Sequence, residues 1–175
     1  MAKRKRRQTK RERKRTRSPG DLARAYHETG HAVVALLNKQ RIQLVTIEPD
    51  GDLIGSCQTE VEEGSAGSSF RARLQVLIAG IQTEVIAQVD GRIQKDTSLG
   101  FRGDLSEAMN LIRSNLQMSD EVECESVLYE ESEKVSAMIR RYWKDVESIA
   151  AALIKHRTLT GEQLAAIVTS ISTRS

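Results

Sequence analysis

Leu22, Ala25, Tyr26, Gly30, Val33, Val34 and Leu37 follow one another at mostly three- and four-residue steps, which predicts an amphipathic helix from Asp21 to about Asn38. Ser18-Pro19-Gly20-Asp21 supplies its start, because serine can cap, proline suits the first helical position and aspartate complements the positive end of the helix dipole. Between Arg41 and Thr59 the period changes. Two β-prone runs flank the turn signal Pro49-Asp50-Gly51 and predict a β-hairpin. Glu60 to Ser69 is acidic and rich in Gly and Ser, hence a loop. Helical spacing returns from Phe70 to about Val89 through Leu74, Leu77, Ile78, Ile81 and Val85, and Val76, Ile86 and Val89 widen the apolar face, so this helix is expected to be heavily buried.

Asp90 to Gly103 holds three glycines and few apolar residues, which marks a long connection. From Asp104 to Leu116, Leu105, Ala108, Met109, Leu111 and Ile112 restore the helical period, so Asp104 is expected to open a helix. A further helix or helix pair runs from about Val122 to Lys155. Thr160-Gly161-Glu162-Gln163 then has the form of a capping box ahead of a short helix carrying Leu164, Ala165, Ile167 and Val168. No internal repeat is evident. The pattern predicts a mainly α, compact helical fold with a small β-hairpin or sheet.

Composition sharpens this in three ways. At 175 residues the chain suits one domain, and with aromatics at 3% its core must be aliphatic. The net charge of +3 hides a division: residues 1–17 hold eleven Lys/Arg against one Glu, so the remainder carries −7. So dense a block of like charge cannot bury apolar surface, and it predicts a disordered basic arm at 1–17 ahead of a folded domain at 18–175. Third, the longest apolar stretches, such as Ala32 to Leu37, are six residues, far below the roughly 20 of a bilayer crossing. Neither a secretory signal nor a CxxC spacing is present, and a cytoplasmic location with Cys57 and Cys124 reduced is the expectation. The arm could attract nucleic acid, an anionic membrane surface or an acidic partner, although no aromatic is interleaved in it to stack on bases.

The candidate chemistry lies on the first helix. His27-Glu28-Thr29-Gly30-His31 is an HExxH motif; four residues turn a helix by about 400°, so both imidazoles share one face and can reach one ion. Glu28 projects beside that face, where it can hydrogen-bond a water without occupying a coordination position. Two imidazoles and a carboxylate suit Zn2+ with an open fourth position. The third ligand is open at this level among Glu60, Glu62, Glu63, Glu84, Asp96 and Asp104. Gly80 interrupts an apolar helix and could mark a close approach to the histidine helix. The second hairpin strand, Leu53 to Thr59, could align an extended substrate by backbone pairing. His156, near a helix end, reads as structural, and the two cysteines read as small buried or half-exposed residues.

Several segments in order resemble the peptidase domain of FtsH-type ATP-dependent zinc metalloproteases. Ala25 to Ala35 resembles that family's zinc helix, and Val45-Thr46-Ile47-Glu48-Pro49 with Leu53-Ile54-Gly55 is similar to its strand pair. Ile78-Ala79-Gly80-Ile81-Gln82-Thr83-Glu84 resembles its AGRxAE segment, with Ile81 and Thr83 as departures; Met118-Ser119 and Leu159-Thr160-Gly161-Glu162 are weaker matches. Thr97-Ser98-Leu99-Gly100, with Gly103-Asp104-Leu105, resembles the stretch holding the family's aspartate ligand. The resemblance implies His27, His31 and Asp104 as zinc ligands, Glu28 as general base, and Glu84 in an outer role, orienting a histidine or shaping the pocket. It also implies a zinc-dependent metalloendopeptidase acting on protein or peptide substrates, and an oligomer is compatible with it. There is no GxxxxGK[ST] phosphate loop, so flexible or unfolded segments are the expected substrates unless a separate ATPase feeds the site. Two other readings stay open: a zinc-stabilised, non-catalytic binding or adaptor protein, and a nucleic-acid-associated factor working through residues 1–17.

Overall fold

The computed structural model describes residues 19–49, 55–60, 63–64, 67, 69–94, 101–168 and 171. The expected basic arm at 1–17, the cap Ser18, the turn at Asp50-Gly51, the strand residues Leu53 and Ile54, the acids Glu62 and Asp96, and the segment 97–100 lie outside the described residues. The chain runs α1 (Pro19–Leu37), β1 (Arg41–Thr46), β2 (Ser56–Glu60), α2 (Phe70–Val89), α3 (Phe101–Leu116), α4 (Glu121–Arg141), α5 (Trp143–His156), β3 (Thr158–Thr160) and α6 (Gly161–Ile167). The fold is mainly helical with a small three-stranded antiparallel sheet. No helix among the described residues is long and apolar enough to cross a membrane.

α1 is the central element. Proline stands at its first position, and Asp21 in its first turn meets Arg157 Nη1 at 3.1 Å and Arg24 Nη1 at 3.4 Å. Its apolar face, including Ala25, Val33 and Val34, is fully buried against α2, α5 and β1, and Tyr26 stacks on Trp143 with ring centroids 5.7 Å apart. The crossing with α2 is close because Gly30 carries no side chain: a Cβ there would run into Thr83 Oγ1 and the Ala79 carbonyl.

β1 pairs antiparallel with β2, Val45 opposite Cys57, and antiparallel with β3, Val45 opposite Leu159. The order β2-β1-β3 leaves β2 at an edge. β3 was not expected from the pattern; three residues are too few to show a period, and what defines them is their partner β1. Arg157, at φ 68, turns the chain from α5 into β3 and donates from Nε to Glu48 Oε1 at 2.5 Å.

Helix α2 has the predicted bounds, with Ser69 capping it by accepting from the Ala72 amide at 3.2 Å. Its burial is less complete than expected: Leu74, Ile78 and Ile86 are buried, but Val85 is 39% and Val89 73% exposed. These two stand one turn apart on one stripe of the helix. The expected start of α3 is also corrected. The helix begins at Phe101, and Asp104 sits within its first turn, where free backbone N–H groups favour a carboxylate just as they do at the cap. The Thr160 capping box is formed, Thr160 Oγ1 accepting from the Gln163 amide and Gln163 Oε1 from the Thr160 amide.

Candidate metal centre

Three helices bring ionisable side chains to one point. α1 presents His27, Glu28 and His31; α2 passes behind with Val76, Gly80 and Glu84; α3 places Asp104 in front. The His27 and His31 Nε2 atoms are 2.9 Å apart, and Asp104 Oδ2 lies 2.8 Å from the first and 3.3 Å from the second. Among the described residues, these three form the group close enough to share a metal ion.

The far side of each ring decides what its near side offers. His31 Nδ1 lies 2.7 Å from the Val76 carbonyl oxygen, which can only accept, so that nitrogen carries the proton and donates. His27 Nδ1 lies 2.6 Å from Glu84 Oε1, and Glu84 is 1% exposed. In the neutral form of each ring the bare Nε2 is therefore turned toward the other ring and toward a carboxylate oxygen. In that form three lone pairs converge on one point with no hydrogen between them, which only a proton or another cation can relieve.

Such a set attracts positive charge. Burial disfavours the imidazolium of His27, yet its bonds to Asp104 and Glu84 and the charge of Glu28 outweigh burial and push its pKa up to about 10. At Asp104 burial works in the opposite sense, and His27 and His31 override it to hold the carboxyl well below its ordinary range. A metal ion answers the same field. Tetrahedral zinc bound at about 2.0–2.1 Å separates its ligand atoms by about 3.3 Å, the spacing of His31 and Asp104 and somewhat more than the other two, and imidazole–imidazole–carboxylate is a donor set zinc takes. A carboxylate and a backbone carbonyl behind the two imidazoles are the usual outer partners of zinc-binding histidines. The residues fit zinc.

Glu28 lies beside this group, 5% exposed, with Oε2 unpartnered. Burial raises its pKa, partly offset by His31 and His27. The approach to β2 covers it, since a Cβ on Gly55 would come 2.5 Å from Glu28 Oε1. Cys57, two residues on, is a free thiol whose pKa is pushed up to about 12 by burial and by the charge of Glu28, so it stays protonated and inert. Gly80 faces the rings: a Cβ there would stand 2.6 Å from His31 Nε2 and His27 Cε1. The close approach expected of Gly80 is thus to the imidazoles themselves.

Of the other carboxylates weighed as third ligand, Glu60 accepts from Gln43 at the sheet edge, Glu63 is exposed in a turn, and Glu84 lies behind His27. His156 is exposed in the last turn of α5. Sequence reasoning missed the Val76 carbonyl. A main-chain acceptor has no signature in the side chain that carries it.

No family model matches the chain. Among curated proteins it is 29% identical over 172 residues to the ATP-dependent zinc metalloprotease FTSH 11, chloroplastic/mitochondrial, of Arabidopsis thaliana, covering 82% of this chain and 21% of that protein. It is 28% identical over 172 residues to FTSH 9, chloroplastic/mitochondrial, of Oryza sativa subsp. japonica, with the same coverage of 82% and 21%. It is also 27% identical over 190 residues to the ATP-dependent zinc metalloprotease FtsH of Chloroflexus aggregans, covering 84% and 28%. The chain spans about a fifth to a quarter of the length of these relatives. The similarities support a relationship to the FtsH zinc metalloproteases.

Proposed function

We propose that this chain is a zinc-dependent metalloendopeptidase that hydrolyses peptide bonds in flexible or unfolded protein segments, with His27, His31 and Asp104 as the zinc ligands and Glu28 as general base. The observation that carries the reading is the convergence of two imidazole Nε2 atoms and a buried carboxylate oxygen, 2.8 to 3.3 Å apart, beside a glutamate whose Oε2 has no hydrogen-bond partner. The chain's similarity to zinc metalloproteases of the FtsH type supports it.

A zinc ion held there supplies Lewis acidity, lowering the pKa of water to about 7 and polarising the scissile carbonyl. The chain's own residues do the rest. Glu28 takes the proton of the attacking water on its free Oε2 and returns it to the departing amine nitrogen; a carboxyl with its pKa raised by burial is suited to hold a proton between the two transfers. Glu84 and the Val76 carbonyl fix the tautomers that keep both Nε2 atoms available. β2, the outer strand of the sheet among the described residues and beginning beside Glu28, offers backbone groups to an extended peptide, a mode that selects unfolded segments.

Residues 1–175 carry no phosphate loop, so these residues do not themselves supply ATP-driven unfolding of a folded substrate. The basic residues 1–17 supply salt-sensitive attraction for an anionic partner, nucleic acid or membrane surface. Zinc-loaded protein should cleave an unfolded substrate such as casein, chelator should stop it, and added zinc should restore it. Zinc-loaded protein that leaves both casein and a random peptide library intact contradicts the proposal.

A further inference from the structure

A cavity of about 390 Å³ is bounded by Gln40, Thr59, Val76, Leu77 and Glu107, and it adjoins the metal centre through Val76. Its apolar wall is Val76 and Leu77 of α2, and the Val76 carbonyl is the group that orients His31. Thr59 of the edge strand β2 bounds one side, and Glu107, one turn beyond Asp104 on α3, bounds the other. Through Thr59, Val76 and Glu107 the cavity adjoins the edge strand β2 and the residues flanking His31 and Asp104, within reach of a side chain of a peptide laid along β2.

Charge defines what that side chain should be. Glu63, Arg73 and Glu107 stand exposed around the mouth, two carboxylates against one guanidinium, and none of the three is ion-paired with another among the described residues. Beyond residues 1–17 the chain carries a net −7, which adds a field of the same sign. An apolar wall with an acidic mouth suits a side chain that has an aliphatic stem and a cationic tip, because the stem packs while the charge stays at the rim.

We infer that this cavity is a specificity subsite that selects a lysine or arginine of the substrate close to the scissile bond, with Glu107 and Glu63 as the discriminating groups. The inference rests on the peptidase reading, so its test uses binding, which does not need turnover. In a zinc-loaded Glu28→Gln background, labelled extended peptides that differ only in one residue, Lys, Leu or Glu, are titrated by fluorescence anisotropy, with that residue moved along the peptide. At one position the Lys peptide should bind more tightly than the Glu peptide by about fivefold, the scale of an exposed ion pair, and high salt should narrow the gap. Glu107→Lys should abolish or invert the preference and Arg73→Glu should enlarge it, with melting temperatures showing that both variants remain folded.

Equal affinities at every position, or a preference that Glu107→Lys leaves intact, overturn the subsite. A preserved Lys preference with no cleavage of the same peptides by the wild-type chain supports the subsite and counts against the peptidase reading instead.

Discussion

α2 separates two buried carboxylate centres that differ in what surrounds them. On the α4 side, Glu131 is 2% exposed and each of its oxygens has partners: Oε1 accepts from Arg71 and, at 2.8 Å, from Lys134, while Oε2 accepts from Gln75 Nε2 at 2.9 Å. Charge and hydrogen bonds close there. On the α1 side, Glu28, Glu84 and Asp104 meet two imidazoles, no lysine or arginine is described among their partners, and Glu28 and Glu84 each keep one buried oxygen without a hydrogen-bond partner. The two centres thus obey the same rule, that a buried charge must be compensated, by different means. The first is complete within the chain, whereas the second asks for a cation from outside. That contrast is the best physical reason to read one as scaffold and the other as a functional site.

The comparison can be broken at several points. Largest should be Glu28→Gln, which removes the proton carrier but no zinc ligand: cleavage of casein is expected to fall by about 10³-fold while bound zinc is retained. Equal rates for wild type and variant would take Glu28 out of the mechanism. Gly80→Ala comes next. Its methyl would stand 2.6 Å from His31 Nε2, so the rings must move, and zinc affinity measured by chelator competition should drop by about 100-fold. Glu84→Gln, which keeps the shape but weakens the hold on His27 Nδ1, should cost roughly tenfold in the same assay.

Perturbing Glu131 should act on stability alone. Glu131→Gln is expected to lower unfolding free energy by about 1–2 kcal/mol, a charged hydrogen bond discounted because Arg71 and Lys134 are 66% and 47% exposed, and to leave zinc affinity unchanged. Its pH dependence has a definite sign. Burial pulls the Glu131 pKa up, but Lys134, Gln75 and Arg71 outweigh burial and hold it below the ordinary carboxylate value. A lowered folded pKa means stability that is fully present above the unfolded value, about 4.3, and lost as pH falls through the folded one. The difference in stability between wild type and Glu131→Gln should therefore be constant near neutrality and shrink on acidification below about pH 4, as urea titrations across pH would register. A gap that widens on acidification would contradict it.

Much of the fold was legible because the long helices have strong periods. α2 runs from Phe70 to Val89 as its pattern predicts, and α1 from Pro19 to Leu37 differs from expectation by a residue or two at each end. The misses share a cause. β3, the start of α3 at Phe101 and the exposure of Val89 are each decided by what an element lies against, which periodicity within one segment does not encode. At the site, HExxH spacing announced His27, Glu28 and His31, whereas spacing alone left the third carboxylate undecided among six. Order along a resembling sequence singled out Asp104, and the structure brings it to both rings. The Val76 carbonyl and the cover of Gly55 over Glu28 emerge only from the packed structure, being matters of backbone position.

The central claim is that the open carboxylate centre completes itself with one divalent cation. Equilibrium competition with a chromophoric chelator tests it most directly. One zinc per chain, retained in Glu131→Gln and lost in both His27→Ala and Asp104→Ala, is the predicted result. A wild-type chain that binds no zinc, or one whose stoichiometry survives the loss of Asp104, would contradict the account.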